Sequence, residues 1–377
     1  MHRLHGLVGF YGCLVLGFLC LFGTLTSIGH ELDWLADPAL RVDPAPTLAG
    51  WGALDAALRR AHPDWVLQRI TAPEGQYFAA EARMVAPDGT ARLVYVDPYH
   101  AVVTGARDRE TIHAMLRRIH RQFYLPNAII LDGRRINVGV YLSTPFGFAL
   151  LVMLVSGVVI YPQFWRGLFR LRLRQGSAVL LHDLHRLVAG WAVWFLAVIA
   201  LTASWYLAER LLADTGMRLE PPPPAASRPA GVAVSMPLDD LVARGRAAFP
   251  GLEVRAVYFP ARPGAPLALA GQAGDLLVRD RANRVWLDPA DGRVLRVDRI
   301  DGAGPLRRWD AMANPLHYGD FAGTASRLVW FVFGCGLTAL VFTGAWMYLA
   351  RLRRERATRR RLDAMRAARA ASRRVSA

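Results

Sequence analysis

Four stretches of this chain contain no Asp, Glu, Lys or Arg: Leu4 to His30, Ile136 to Trp165, Leu187 to Ala208 and Leu328 to Ala350. Each reaches the roughly 20 apolar residues that a helix needs to cross a hydrocarbon core of about 30 Å. The pattern predicts transmembrane helices over 4–30, 136–165, 187–208 and 328–350, two long polar segments over 31–135 and 209–327, a link over 166–186 and a tail over 351–377. Inside the long segments the period changes. Leu54 to Ala61, ahead of Pro63, and Leu238 to Phe249, ahead of Pro250, read as amphipathic helices. Leu93-Val94-Tyr95-Val96 and Val285-Trp286-Leu287 read as strands, each running into an Asp-Pro turn and followed by a short apolar strand, Ala101 to Val103 and Val294 to Val297.

These matches make the chain one unit written twice. Leu4-His5-Gly6-Leu7-Val8 opens span one as Leu184-His185-Arg186-Leu187-Val188 opens span three. Ser156-Gly157, with Tyr161 four residues on, stands near the end of span two as Thr343-Gly344, with Tyr348, does in span four. Both copies start on the same side, so the repeats are parallel, related by a pseudo-two-fold axis along the membrane normal, and equivalent residues lie at equal depth. The fold class expected is membrane α-helical: a four-transmembrane-helix bundle built from two parallel repeats, with two small α+β domains outside. Tyr206 to Val232, which contains Pro221 to Pro224 and Pro229, reads as a stiff extended spacer into the second of these.

Charge fixes the orientation. The 377 residues are 53% hydrophobic and carry a formal charge of +16, of which all but +2 sits at Arg3, in the link and in the tail after Ala350. Arginine beside short segments marks the cytoplasmic side, so both termini and the link are expected inside and the long segments outside. A basic tail so placed meets anionic lipid headgroups rather than nucleic acid. The chain has no lysine, which looks like genomic composition bias. Cys13, Cys20 and Cys335 all fall inside spans, so there is neither a disulfide framework nor a Cys-x-x-Cys metal motif. The first apolar run is longer than the core of a cleaved signal peptide and has no small-residue cleavage site before Glu31, so an uncleaved signal anchor is expected.

Six of the ten histidines cluster at span ends or their approaches. His5 and His185 mark the inner ends of spans one and three. His120 and His317 lie on helices that approach spans two and four from outside. The duplication thus yields two pairs, one per membrane face, and paired neutral imidazoles are what a six-coordinate haem iron takes on its two axial sides. His182, one turn before His185, is the alternative inner ligand; His113 lies two turns before His120. His2, His30, His62 and His100 have no repeat partner and read as solvated or structural. Arg117, Arg118, Arg121, Arg134 and Arg135 near the outer site could steer an anion, although outside charges nearly cancel and a solvated face explains them as well. Two stations suit electron transfer, because one jump across the hydrocarbon would be too slow.

In their order and spacing these features resemble the PepSY-associated transmembrane proteins, and among them the bacterial inner-membrane ferric-siderophore reductases. The likeness runs through Leu4-His5, the Leu54 to Val103 segment, Ile119-His120-Arg121, His182-Asp183-Leu184-His185-Arg186, the Leu238 to Val297 segment and Leu316-His317-Tyr318-Gly319. It implies PepSY-like folds for the two outer domains, two haem b groups in the bundle, and electrons passed to ferric iron held by a siderophore in the periplasm. Some relatives carry a fused flavin and nicotinamide domain. No nucleotide-binding glycine fingerprint occurs here, so the donor is expected to be a partner protein or membrane quinol. The rival expectation is a membrane-anchored binding or inhibitory module acting on a protease or envelope protein. A carrier of the iron complex is the weakest reading, since no Asp, Glu, Lys or Arg lies inside the spans to couple ions.

Overall fold

The computed structural model describes residues 1–377 except 127, 128, 132, 133, 170, 227–233, 235, 276, 376 and 377, so Pro229 of the expected spacer lies outside the described residues. The chain opens with α1 (His2–Tyr11) and α2 (Cys13–Ser27), then α3 (Gly29–Ala36) and α4 (Trp51–Ala61). Four strands follow, β1 (Val66–Thr71), β2 (Ala80–Val85), β3 (Ala91–Val96) and β4 (Val103–Arg107), then α5 (Ile112–Gln122) and the small hairpin β5 (Ile129–Leu131) and β6 (Arg134–Ile136). Helices α6 (Val138–Ser143), α7 (Phe146–Ile160), α8 (Ser177–Trp191) and α9 (Val193–Asp214) lead to α10 (Leu238–Ala248). Strands β7 (Glu253–Tyr258), β8 (Leu267–Gln272), β9 (Asn283–Leu287) and β10 (Val294–Asp298) are followed by α11 (Pro305–Tyr318) and α12 (Gly323–Val375).

Among the described residues, three helical segments are long and apolar enough to cross a membrane: Val138–Ile160, Val193–Asp214 and Gly323–Arg366. The pair α1 and α2 makes a fourth if it is taken as one span, for the two helices meet at Gly12 with a bend of 68°. The unbroken helix expected over 4–30 is therefore interrupted, at a residue of low helix propensity. The matching break between α8 and α9 falls at Ala192, and nothing in the local sequence explains it. The last helix does not stop at Ala350 but continues for 53 residues in all, into the basic tail.

The two outer segments do not form two separate sheets. Their strands make one antiparallel sheet in the order β10-β9-β8-β7-β1-β2-β3-β4, in which each half reads outward from the β7–β1 junction in the same sequence. The halves join through Arg69 opposite Tyr258, Ile70 opposite Val257 and Thr71 opposite Ala256. This pairing covers two strand edges that would otherwise stand open. Alternation places Ala80, Ala82 and Met84 of β2 on the buried face. There they share one core with Leu58 of α4, Leu241 of α10 and Leu269 and Leu287 of the second half. Gly52 at the head of α4 donates to Asp239 of α10 at 2.9 Å, so the helices of the two halves are tied as well.

Candidate functional site: two pairs of anchored histidines

Helix α5 is set on α2 by its own capping. Thr111 accepts from Ala114 N at 3.0 Å, and the buried Asp33 of α3 accepts from the backbone of Ile112 and His113 at 2.6 and 3.1 Å. These acceptors satisfy amide groups that a helix start leaves unpaired. The seating brings His120 over Gly23, where a Cβ would stand 2.8 Å from the ring's Cε1, so the imidazole lies against bare backbone. Helix α11 delivers His317 next to α9, and Trp330 of α12 donates to Leu316 O at 2.9 Å, which caps a terminal carbonyl.

The four histidines of the two expected pairs are anchored alike, each through Nδ1 to an oxygen on another helix. His5 meets Ser156 Oγ at 2.9 Å, His185 meets Thr343 Oγ1 at 2.8 Å, His317 meets Thr202 Oγ1 at 2.9 Å and His120 meets Leu19 O at 2.8 Å. The proton on each bond can be placed. The hydroxyls of Ser156, Thr202 and Thr343 already donate to the carbonyls four residues back, Val152, Val198 and Ala339, at 2.6, 2.7 and 2.7 Å. A hydroxyl has one proton, so each of these oxygens must accept from the imidazole, as the carbonyl of Leu19 must. All four rings are thereby held as the Nδ1–H tautomer, with the Nε2 lone pair free. Among the described residues, no Nε2 of the four makes a hydrogen bond. An Nδ1–H given to an oxygen while Nε2 stays open is the arrangement of a metal-ligating histidine.

His120 and His317 stand close together. The rings of His120 and His317 have centroids 6.1 Å apart and planes inclined by 38°. With a metal–nitrogen bond of about 2 Å and a ring centre about 1 Å beyond the nitrogen, two imidazoles on opposite sides of one iron stand about 6 Å apart. His5 and His185 repeat the anchoring, and each ring lies on the glycine that follows its partner hydroxyl: a Cβ at Gly157 would lie 3.6 Å from His5 Cε1, and one at Gly344 3.4 Å from His185 Cε1. No ring-to-ring approach like the outer one joins them among the described residues. Among the described residues no three His, Cys, Asp or Glu side chains are grouped to hold a bare metal ion, so a metal here would need further ligands of its own, as a porphyrin provides. Beside His317, Tyr206 stands edge-on at 5.1 Å with its hydroxyl buried and without a partner. Such an orphan suits a site that receives a polar group from a ligand.

His182 is exposed on α8, while its neighbour Asp183, 1% exposed, binds Arg172 at 2.8 Å and also Arg186, which fastens the link beneath the inner pair. Arg117 and Arg121 are exposed on α5. Arg118 is occupied by Glu110 at 3.0 Å and lies 4.2 Å over the Tyr124 ring. The side chains of Arg134 and Arg135 lie outside the described residues. Of the histidines without a repeat partner, His62 stacks on Trp65 and His100 pairs with Asp97 at the surface. His30 differs: it stacks on His113 with centroids 4.0 Å apart. Reading the sequence misses that pair, and it sees Ser156 and Thr343 only as marks of repetition.

A family model described as PepSY-associated TM region matches residues 2–351. An uncharacterized protein of Pseudomonas aeruginosa is 26% identical over 234 residues, which make up 56% of this chain and 59% of that protein. The matched stretch is thus less than two thirds of the relative's length.

Proposed function

The chain belongs to the family of the PepSY-associated TM region, and on that premise we propose that it is a haem-dependent membrane reductase that passes electrons outward to ferric-siderophore iron and so releases ferrous iron. On this reading the helices form a four-span bundle of two parallel repeats in a bacterial inner membrane. The halves of the sheet are two PepSY-like units in the periplasm, and both termini are cytoplasmic. The observation that carries the proposal is the common tautomer: four imidazoles, matched in pairs by the duplication, each present a free Nε2, and the outer two stand at the spacing of ligands that share one iron.

His5 and His185 would hold the inner haem b, and His120 and His317 the outer. When bound, such a group would supply an iron that gains and loses one electron. The chain's own residues do the rest. Ser156, Thr202, Thr343 and the Leu19 carbonyl fix ring rotation and keep each Nδ1 protonated. Leu16, Leu150 and Ala200, buried together among the spans, exclude water from the bundle. The electron source is a membrane quinol or a reductase protein on the inner side; one electron converts one ferric ion to ferrous. Ferrous iron is held more weakly than ferric by hard oxygen ligands, so the reduced metal leaves its chelator.

The test is an absorption spectrum of the purified full chain, expressed with ample haem, before and after dithionite. Reduced b-type bands equivalent to two haems per chain are expected. A chain without a Soret band would falsify the proposal and leave the anchored binding module in its place.

A further inference from the structure

Spans one and three keep a single register. The alignment that sets His5 on His185 also sets the break at Gly12 on the break at Ala192, so the two can be compared position by position on both sides of it. Two positions of span three then stand out, because each carries an enclosed donor that nothing accepts among the described residues. Arg186, which follows His185, donates through Nη2 to Asp183 and lies 5.5 Å over the Tyr161 ring, yet its Nε is enclosed and makes no hydrogen bond. Tyr206 lies one turn beyond Thr202, which tethers His317, and its hydroxyl is enclosed and unpartnered in the same way. The matching positions of span one hold no such donor. Gly6 has no side chain, and Thr26 already donates to Phe22 O at 2.7 Å. Each open donor stands on the water side of its histidine level. Tyr161, beneath Arg186, is one turn beyond Gly157, the ledge on which the His5 ring lies, and it closes the inner end of α7. Tyr206 is likewise one turn outward of the His317 tether.

We propose that Arg186 and Tyr206 bind carboxylates of the inner and outer haem groups, so that span three alone orients both rings. The inference rests on the reductase reading for the identity of the group. A haem b is apolar over its faces and carries its carboxylates on one edge, and in a bundle that edge turns toward water, where the two donors stand. An enclosed donor left unpaired is costly, and a ligand's acceptor relieves that cost. Other roles leave the open atoms unexplained. Stacking on Tyr161 accounts for where the Arg186 guanidinium lies but not for its free Nε. A tyrosine near a membrane surface turns its hydroxyl to water, which Tyr206 does not. The inner contact is the stronger of the two. Arg172 and Arg186 share the one carboxylate of Asp183, so the trio keeps a positive charge, and charge-assisted bonds from guanidinium to carboxylate are the strong ones. Around Tyr206 stand Arg121, Glu209 and Asp320, so a neutral hydroxyl meets its acceptor in mixed surroundings and holds it less tightly.

The measurement is haem titration of the full chain in detergent, followed at the Soret band and repeated with haem dimethyl ester, whose carboxylates are blocked. A His317→Ala chain reports the inner level and a His5→Ala chain the outer. With Arg186 and Tyr206 in place, free haem is expected to bind more tightly than the diester, by about tenfold at the inner level and about threefold at the outer. Arg186→Gln should weaken inner haem binding by about tenfold, Arg186→Lys by about threefold, and Tyr206→Phe should weaken outer binding by about threefold, each with affinity for the diester unchanged. The diester guards against misfolding, since a distorted site loses both ligands. Equal affinity for haem and diester before substitution overturns the proposal. So does a loss in Arg186→Gln and Tyr206→Phe that falls on both ligands alike, or no loss in either. The two readings are told apart. Haem bound at both levels without regard to its carboxylates sinks the orientation by span three and keeps the reductase. Carboxylate-dependent haem in a chain that, once reduced, leaves ferric citrate unreduced does the reverse, and a chain that takes up no haem sinks both.

Discussion

The two halves of the chain agree closely at the imidazoles and part company two helical turns further out. Each half supplies a broken first helix, a hydroxyl that tethers Nδ1 of a first-span histidine, and a histidine on the helix leading into its second span. Beyond His120 lie His113 and His30, ring on ring, next to a closed cavity. Beyond His317 lies Asp310, locked between Arg279 and Trp205. What both halves keep is suited to gripping one kind of group twice. What only the first half has is the stacked pair of His30 and His113, and the second half fills the same place with an ion pair. The duplication thus separates a symmetric grip from unlike surroundings.

The grip is tested most severely by its ligands. His317→Ala is expected to remove one of two haems and leave the other spectrally intact, and His5→Ala to do the converse. Equal loss of both in each variant would show that the levels are not independent. Next comes the charged seam in which Arg327 of α12 holds Glu31 at 3.0 Å and Glu74 at 2.9 Å. Arg327→Met strands the carboxylates of Glu31 and Glu74, which are 23% and 42% exposed, so the cost is that of losing hydrogen bonds between charged groups, about 1.5–3 kcal/mol. A large fall in the thermal midpoint in detergent is expected, and a variant that melts like the natural chain would show the seam to be incidental. A smaller effect should come from the tethers. Thr202→Val keeps the shape but removes the acceptor for His317, which should weaken haem binding at the outer site about 10- to 100-fold and leave the inner site unchanged in a haem competition titration.

How much of this the sequence discloses depends on the range of each interaction. The charge-free stretches are local, and each overlaps an apolar helix, although the last helix runs on past Ala350 to Val375. The bend at Gly12 escapes a hydropathy profile, because apolar content does not register a change of direction. The junction of β1 with β7 is also hidden, since Ile70 and Val257 are distant in the chain and carry no mutual signature. The histidine pairs stand out because duplication marks them twice. Their tethers are marked as well, but a Ser-Gly or Thr-Gly signal reveals no partner when that partner lies 151 or 158 residues away. His30 is missed for the opposite reason: it belongs to what only one half possesses, so repetition cannot point to it.

The smallest of the expected effects is also the one that belongs to the first half alone. Burial, with the charge of His30 against it and Arg117 close by, holds the His113 imidazole down to about 2. Its Nδ1 is enclosed and has no partner. An unfolded histidine takes up a proton near pH 6.5, whereas the folded chain refuses it. His113 therefore costs no stability above that pH, and below it the unfolded state binds the extra proton and stability is lost as the pH falls. Between pH 7 and pH 5 the loss from this one group is at most about 2 kcal/mol. His113→Phe keeps a ring for His30 to stack on and should flatten the acid limb of a thermal-midpoint profile by that amount. If the variant and the natural chain lose stability in parallel, the stacked pair is open to water.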